Sequence, residues 1–189
     1  LAGAPRRAGT RPIRASRGLA DARAADTMPR RGVRLTAEAI QVRSLTELDL
    51  DGIVRIGEKM RNRYEPDLWE SRVTYYLRRA PEGSVVAEID GAVAGFMLGD
   101  IRSGEFGIEE QCGWIEVMGV DPDCAGRGIG RALAQEMLKR FQARGVRKVR
   151  TMVDAAMPDV EMFFTRLGFE PDTLRPYCKD LGTSPDART

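Results

Sequence analysis

The run Val117-Met118-Gly119-Val120-Asp121-Pro122, followed closely by Gly126-Arg127-Gly128-Ile129-Gly130-Arg131-Ala132-Leu133, joins an apolar strand to a glycine-rich turn and an amphipathic helix. Glycines at alternate positions let backbone amides approach a bulky anion with no Cβ in the way. The helix that follows points its free N–H groups and the positive end of its dipole at the same spot. Those are the properties of a pyrophosphate site. Spacing excludes two common owners. A P-loop needs Gly-Lys-Ser/Thr at its end, and here Gly130 is followed by Arg131-Ala132. The dinucleotide fingerprint needs Gly or Ala three places after Gly128, where Arg131 stands, and its glycines follow an early strand, whereas these come late in the chain.

One carboxylate lies inside the strand, in Trp114-Ile115-Glu116-Val117-Met118. Two readings are open for Glu116: a side chain on a half-exposed face, or a desolvated general base, because removal from water prepares a Glu to accept a proton near neutrality. The chain has no histidine, which excludes Ser-His-Asp and Cys-His machinery and His bases. Proton transfer is left to Glu, Asp, Tyr, Lys, Cys or water. Cys112, Cys124 and Cys178 are odd in number and show no Cys-x-x-Cys spacing, so no disulfide framework, zinc site or other metal site is expected. The same cysteines, with no signal peptide before them, suggest a reducing cytoplasm.

The strand ending in Val-Asp-Pro and the turn x-Gly-Arg-Gly-Ile-Gly-Arg-Ala-Leu closely resemble the acyl-CoA-binding motif of the GNAT superfamily, the CoA-dependent N-acetyltransferases. That family's loop usually reads Gln/Arg-x-x-Gly-x-Gly/Ala. Gly128 and Gly130 match, while Ala125 stands where Gln or Arg is usual. Because backbone amides carry most of the grip on phosphate, this departure is expected to weaken binding and not to abolish it. Phe163-Phe164-Thr165-Arg166-Leu167-Gly168-Phe169 is similar to a second signature of the family, Phe-Tyr-x-x-Leu-Gly-Phe. The resemblance covers roughly residues 40–181.

The resemblance implies acetyl-CoA as co-substrate, no metal, and a set of roles. The backbone of Met118, Gly119 and Val120 would pair with the pantetheine arm. The amides of Ala125, Gly126, Arg127, Gly128, Ile129, Gly130 and Arg131 would hold the diphosphate. The side chains of Arg127 and Arg131 would add charge, or else merely solvate the start of a helix. Some family members carry a catalytic Glu on the strand that holds Glu116, which makes Glu116 the candidate base. Phe164 and Met157 stand where many members place Tyr and Asn, so the expected general acid is missing; Tyr177 is the substitute considered, with a packed strand aromatic as the other reading. The implied activity is acetyl transfer to a primary amine by direct attack in a ternary complex. The acceptor is a small molecule, a protein N-terminus or a lysine, with a homodimer possible. The alternative is a CoA-binding regulatory or interaction module whose catalytic residues have been lost.

The elements that must position these residues follow from periodicity. Ile40–Arg43 reads as a first strand. Thr46 caps a helix with apolar positions Leu48, Ile53, Ile56 and Met60. Pro66 starts a second helix that buries Leu68, Trp69, Val73, Tyr76 and Leu77. Ser84–Ile89 and Ala92–Leu98 form a hairpin about Asp90-Gly91. A loop follows over Ile101–Gln111 together with Asp100, where Glu105, Glu109 and Glu110 would attract a cationic amine. Trp114–Val120 is the strand feeding the turn. A helix over Gly128–Arg144 stops at Gly145, a strand covers Val146–Val153, a helix runs from Pro158 to Leu167, and Leu174–Lys179 forms a last strand. The expected fold is α/β, of the α+β type: a central mixed twisted sheet flanked by helices, in the order β-α-α-β-β-β-α-β-α-β.

At 189 residues, the chain fits one domain plus tails. Residues 1–34 carry nine Arg against Asp21 and Asp26, so a formal charge of +2 overall hides an acidic remainder. Residues 1–37 are expected to be a basic disordered leader, 38–182 the acetyltransferase domain and 183–189 a disordered tail. A basic arm for nucleic acid and an Arg-rich transit peptide are weighed for the leader. Sequence ahead of a start at Met28 is favoured, which makes nucleic acid an unlikely partner. No apolar run approaches the length of a membrane span.

Overall fold

The computed structural model describes residues 39–182. The expected leader over residues 1–37 and the tail over 183–189 lie outside the described residues. The elements are β1 (Gln41–Ser44), α1 (Leu50–Arg61), α2 (Pro66–Arg79), β2 (Val85–Ile89), β3 (Ala92–Arg102), β4 (Cys112–Val120), α3 (Ile129–Ala143), β5 (Lys148–Thr151) and α4 (Pro158–Arg166). The five strands form one mixed sheet in the order β1-β2-β3-β4-β5, antiparallel throughout except for the parallel pair β4–β5.

Alternation along the strands divides the core between the two faces of this sheet. On one face Val86, Phe96 and Leu98 meet Ile53, Val54 and Ile56 of α1 and Trp69, Val73 and Tyr76 of α2. On the other, Val85, Met97 and Ile115 meet Leu133, Met137 and Phe141 of α3 and Phe164 of α4. Local chemistry sets several of the helix ends. Asn62 takes the left-handed conformation after α1 and Gly145, with φ 81°, follows α3. Pro66 and Pro158 occupy the first turns of α2 and α4, where a missing N–H costs nothing.

The helices and the hairpin fall where periodicity places them, with corrections at the edges. Thr46 precedes a one-turn 3-10 helix (Glu47–Asp49) and not α1 itself, and Leu48 is 92% exposed. The stripe that α1 buries is Ile53, Val54 and Ile56, and Met60 is left exposed. β3 runs on to Arg102, so Asp100 is a strand residue and not part of a loop. Its polarity misleads because its charge is paired inside the fold. The last strand expected over Leu174–Lys179 does not form: among the described residues, the segment after α4 has no regular structure. Pro176, inside that segment, removes a ladder donor and so disfavours strand pairing there.

One irregularity matters for function. β3 and β4 pair Leu98 with Val117 and then Gly99 with Ile115, so Glu116 is an extra, bulged residue on β4. A bulge breaks the alternation of side chains. Glu116 and Val117 consequently both face α2: Glu116 meets Tyr76, and Val117 packs with the α1/α2 core. Gly99 is required opposite the bulge, because a Cβ there would lie 2.3 Å from the Trp114 carbonyl oxygen.

Candidate active site

The glycine turn is held in place from below. Asp121, almost fully buried, bonds through its N–H to the Ala94 carbonyl at 2.9 Å and accepts from the Asp123 amide at 3.0 Å. Lys59 of α1 reaches across to both Asp121 oxygens at 2.9 Å and to Asp123 at 2.6 Å. Burial pushes the Asp121 carboxyl up, but the Lys59 ammonium and the Asp123 N–H outweigh it, and the net direction is below the ordinary 3.8. The turn proper, Gly126-Arg127-Gly128, is exposed, and Gly126 and Gly128 have φ of 76° and 85° with open space where a Cβ would stand.

Gly128 caps α3, and the first helical amide to find a partner within the helix is Ala132, which bonds to the Gly128 carbonyl at 3.0 Å. The N–H groups of Ile129, Gly130 and Arg131 therefore open the helix without intrahelical acceptors. The Ile129 side chain is core, so this residue offers a ligand only its backbone. At Gly130 a Cβ would meet the Phe163 ring at 3.2 Å and the Met118 methyl at 3.8 Å. A side chain there would fill the space between the end of β4 and α4.

β4 supplies the second half of the site. Its parallel ladder with β5 covers only Cys112–Ile115, paired with Lys148–Thr151. Val117, Met118, Gly119 and Val120 pair with β3 on one side, and among the described residues no strand pairs with them on the other. This stretch of free backbone leads straight to the glycine turn. Met118 faces α3 and α4, while Gly119 backs onto Phe96 and Met60. Met118, Gly119, Val120 and the 125–131 turn are thus brought together along one path.

Glu116 stands at the mouth of that path, and of its two readings the structure shows the half-exposed side chain and not a desolvated one. Its side chain is 36% exposed and lies on the face opposite Ile115, where the bulge also puts Val117. One carboxylate oxygen pairs with Arg102 and the other accepts from the Tyr76 hydroxyl. Arg102 Nε lies 2.7 Å from Asp100, an ion pair by distance whose angle falls short of a hydrogen bond, and Arg79 donates to the other Asp100 oxygen at 2.8 Å. Asp100 is 1% exposed, so the two arginines are what make its burial tolerable. Tyr76 has its phenol pushed up, first by burial and then by the Glu116 carboxylate, and so remains a donor. Tyr76, Asp100 and Arg102 were missed in the sequence, where Tyr76 reads as core and Asp100 as loop; only their pairing across three elements marks them.

The remaining candidates are scattered. Tyr177 is 93% exposed and belongs to no strand, and among the described residues nothing hydrogen-bonds it. Phe164 is buried between the Phe163 and Phe169 rings and carries no proton to give. Met157 precedes α4, exposed. Glu110 is paired with Lys148 at 3.3 Å, while Glu105 is half-buried and Glu109 exposed.

The parallel ladder of β4 with β5 stops at Ile115, short of a glycine-rich helix start, and residues 50–169 match the model of the acetyltransferase (GNAT) family. The chain belongs to that family. Over 135 residues it is 27% identical to an uncharacterised N-acetyltransferase of Methanocaldococcus jannaschii, covering 68% of this chain and 60% of that protein. Over 89 residues it is 34% identical to the mycothiol acetyltransferase of Thermobispora bispora, covering 47% of this chain and 30% of that one. The chain thus spans from under a third to about 60% of these relatives' length. Among solved structures, an aminoglycoside N-acetyltransferase in complex with CoA superposes with TM-score 0.65 at 16% identity, over 76% of this chain and 96% of that one. A ribosomal-protein-alanine N-acetyltransferase from Brucella melitensis gives 0.62 at 16% identity, over 76% of this chain and the whole of that one.

Proposed function

We propose that this protein transfers the acetyl group of acetyl-CoA to a primary amine. The observation that carries the reading is the backbone of Val117–Val120, with no second strand on its outer edge among the described residues, running into the amides of Ile129–Arg131, which have no intrahelical acceptors. The first suits an amide-bearing pantetheine arm and the second a diphosphate, in the order in which CoA presents them. The solved neighbour that holds CoA shares this fold.

In this reading the backbone of β4 aligns the thioester and a backbone N–H polarises its carbonyl. Glu116 takes a proton from the acceptor ammonium, directly or through a water. The neutral amine attacks the carbonyl carbon, the carbon–sulfur bond breaks, CoA leaves as its thiolate, and the nitrogen's second proton passes to water or to that thiolate. No residue at the site is assigned as the acid, since Phe164 has no hydroxyl and Tyr177 stands in solvent. A thiolate is a tolerable leaving group at neutral pH without one. The names of the relatives make aminoglycoside-like amines and alanine-initiated peptides the first acceptors to try.

Phe164, Met157 and Ala125 favour a second reading, a module that binds CoA without turning it over. Thiol release from acetyl-CoA across an alkylamine, a lysine peptide, an alanine-initiated peptide and an aminoglycoside separates the two. Amine-dependent release is expected with at least one acceptor. Saturable CoA binding with no release from any of them would establish the second reading instead.

A further inference from the structure

We propose that Tyr76 is a positioning residue for Glu116, so that α2 sets the orientation of the carboxylate on which the acceptor amine depends. The inference rests on the reading of Glu116 as the base. A bulged residue is left unpaired on the ladder, and an exposed Glu has several rotamers to lose when it is held still. Glu116 is nevertheless held at both oxygens by donors from two different elements, the Tyr76 hydroxyl on α2 and the Arg102 guanidinium on β3. Two donors on the two oxygens fix the plane of a carboxylate as well as its position, and they leave its remaining lone pairs to accept from the substrate ammonium.

The support is itself anchored. The Tyr76 ring lies in the core between α2 and the sheet and meets Tyr75 edge to face at 5.1 Å, so its hydroxyl has little freedom to point elsewhere. Arg102 is held by Asp100, and Asp100 by Arg79, also of α2. Helix α2 therefore reaches Glu116 twice, directly through Tyr76 and indirectly through Arg79, Asp100 and Arg102. Glu116 and Asp100 are thus joined with Arg102 and Arg79 into one linked set of two carboxylates and two guanidiniums. The approaching ammonium meets an oriented acceptor.

Tyr76→Phe removes the hydroxyl and keeps the ring. Rates at saturating acetyl-CoA are measured for the parent, Tyr76→Phe, Glu116→Gln and the double variant. The acceptor is an alanine-initiated peptide or an aminoglycoside, whichever the parent turns over faster, and acetyl-CoA affinity is measured by calorimetry. Loss of one hydrogen bond to a charged group corresponds to a fall of about tenfold in kcat. Acetyl-CoA affinity should stay unchanged, and the double variant should be no slower than Glu116→Gln alone. A purely structural role for Tyr76 would give losses that multiply, and that result overturns the proposal. A slow Glu116→Gln beside a parent-like Tyr76→Phe also overturns it while leaving the base in place. A parent-like Glu116→Gln removes the base reading, and the positioning role with it.

Discussion

At the scale of the residue, the role proposed for Glu116 rests on its position and not on deep burial. It is half-exposed, bonded at both oxygens and placed where β4 parts from β5. A carboxylate in this setting serves an ammonium by orientation and by accepting its proton. That need lapses once the amine is neutral without help. A lysine-type amine loses its proton unaided at a pH of about 10, and a peptide α-amino group at about 8. Glu116→Gln should therefore slow acetyl transfer most near neutrality and approach the parent as pH rises. Rates followed across that range check it, and a ratio of variant to parent that stays flat with pH would count against a proton-accepting role.

At the scale of the element, the glycine turn depends on its attachment to α1. Lys59 and Asp121 join the helix to the end of β4, and the Asp121 carboxyl is held below its ordinary value. A depressed folded value means that stabilisation is fully present above the unfolded value of 3.8 and is lost as pH falls through the lower folded one. Asp121→Asn should therefore lower the melting temperature at about pH 7 by more than at about pH 3. Melts at the two values decide it; an equal loss at both would mean that the charge on Asp121 does not matter. The turn, the hairpin and the stops at Gly145 and after Arg166 were legible in the sequence because glycine, proline and apolar period act locally. Two features were not. The bulge at Glu116 depends on the register between β3 and β4, which no single strand encodes, so simple alternation puts Glu116 and Val117 on opposite faces. Asp100 and Arg102 read as loop because their polarity is satisfied by residues distant in sequence, Arg79 and Glu116 among them.

At the scale of the molecule, both faces of the sheet contribute to the candidate site. Helices α3 and α4 close the face against which Met118 packs, while α1 and α2 close the face that holds Glu116, with Lys59 of α1 also tying down the glycine turn. The proposed reacting centre lies on β4 between Glu116 and that turn. Among the described residues, no helix is long and apolar enough to cross a membrane. The central claim is that acetyl-CoA lies along the free backbone of β4 with its diphosphate on the start of α3. Calorimetric titration of acetyl-CoA into the parent and into Gly130→Asp tests it most directly, with circular dichroism showing that the variant is folded. The new carboxylate would stand among the helix-start amides, beside Phe163 and Met118. The account predicts saturable binding to the parent and a loss of at least about tenfold in the variant, from charge repulsion and lost amide contacts. A folded Gly130→Asp that binds acetyl-CoA as tightly as the parent would contradict it.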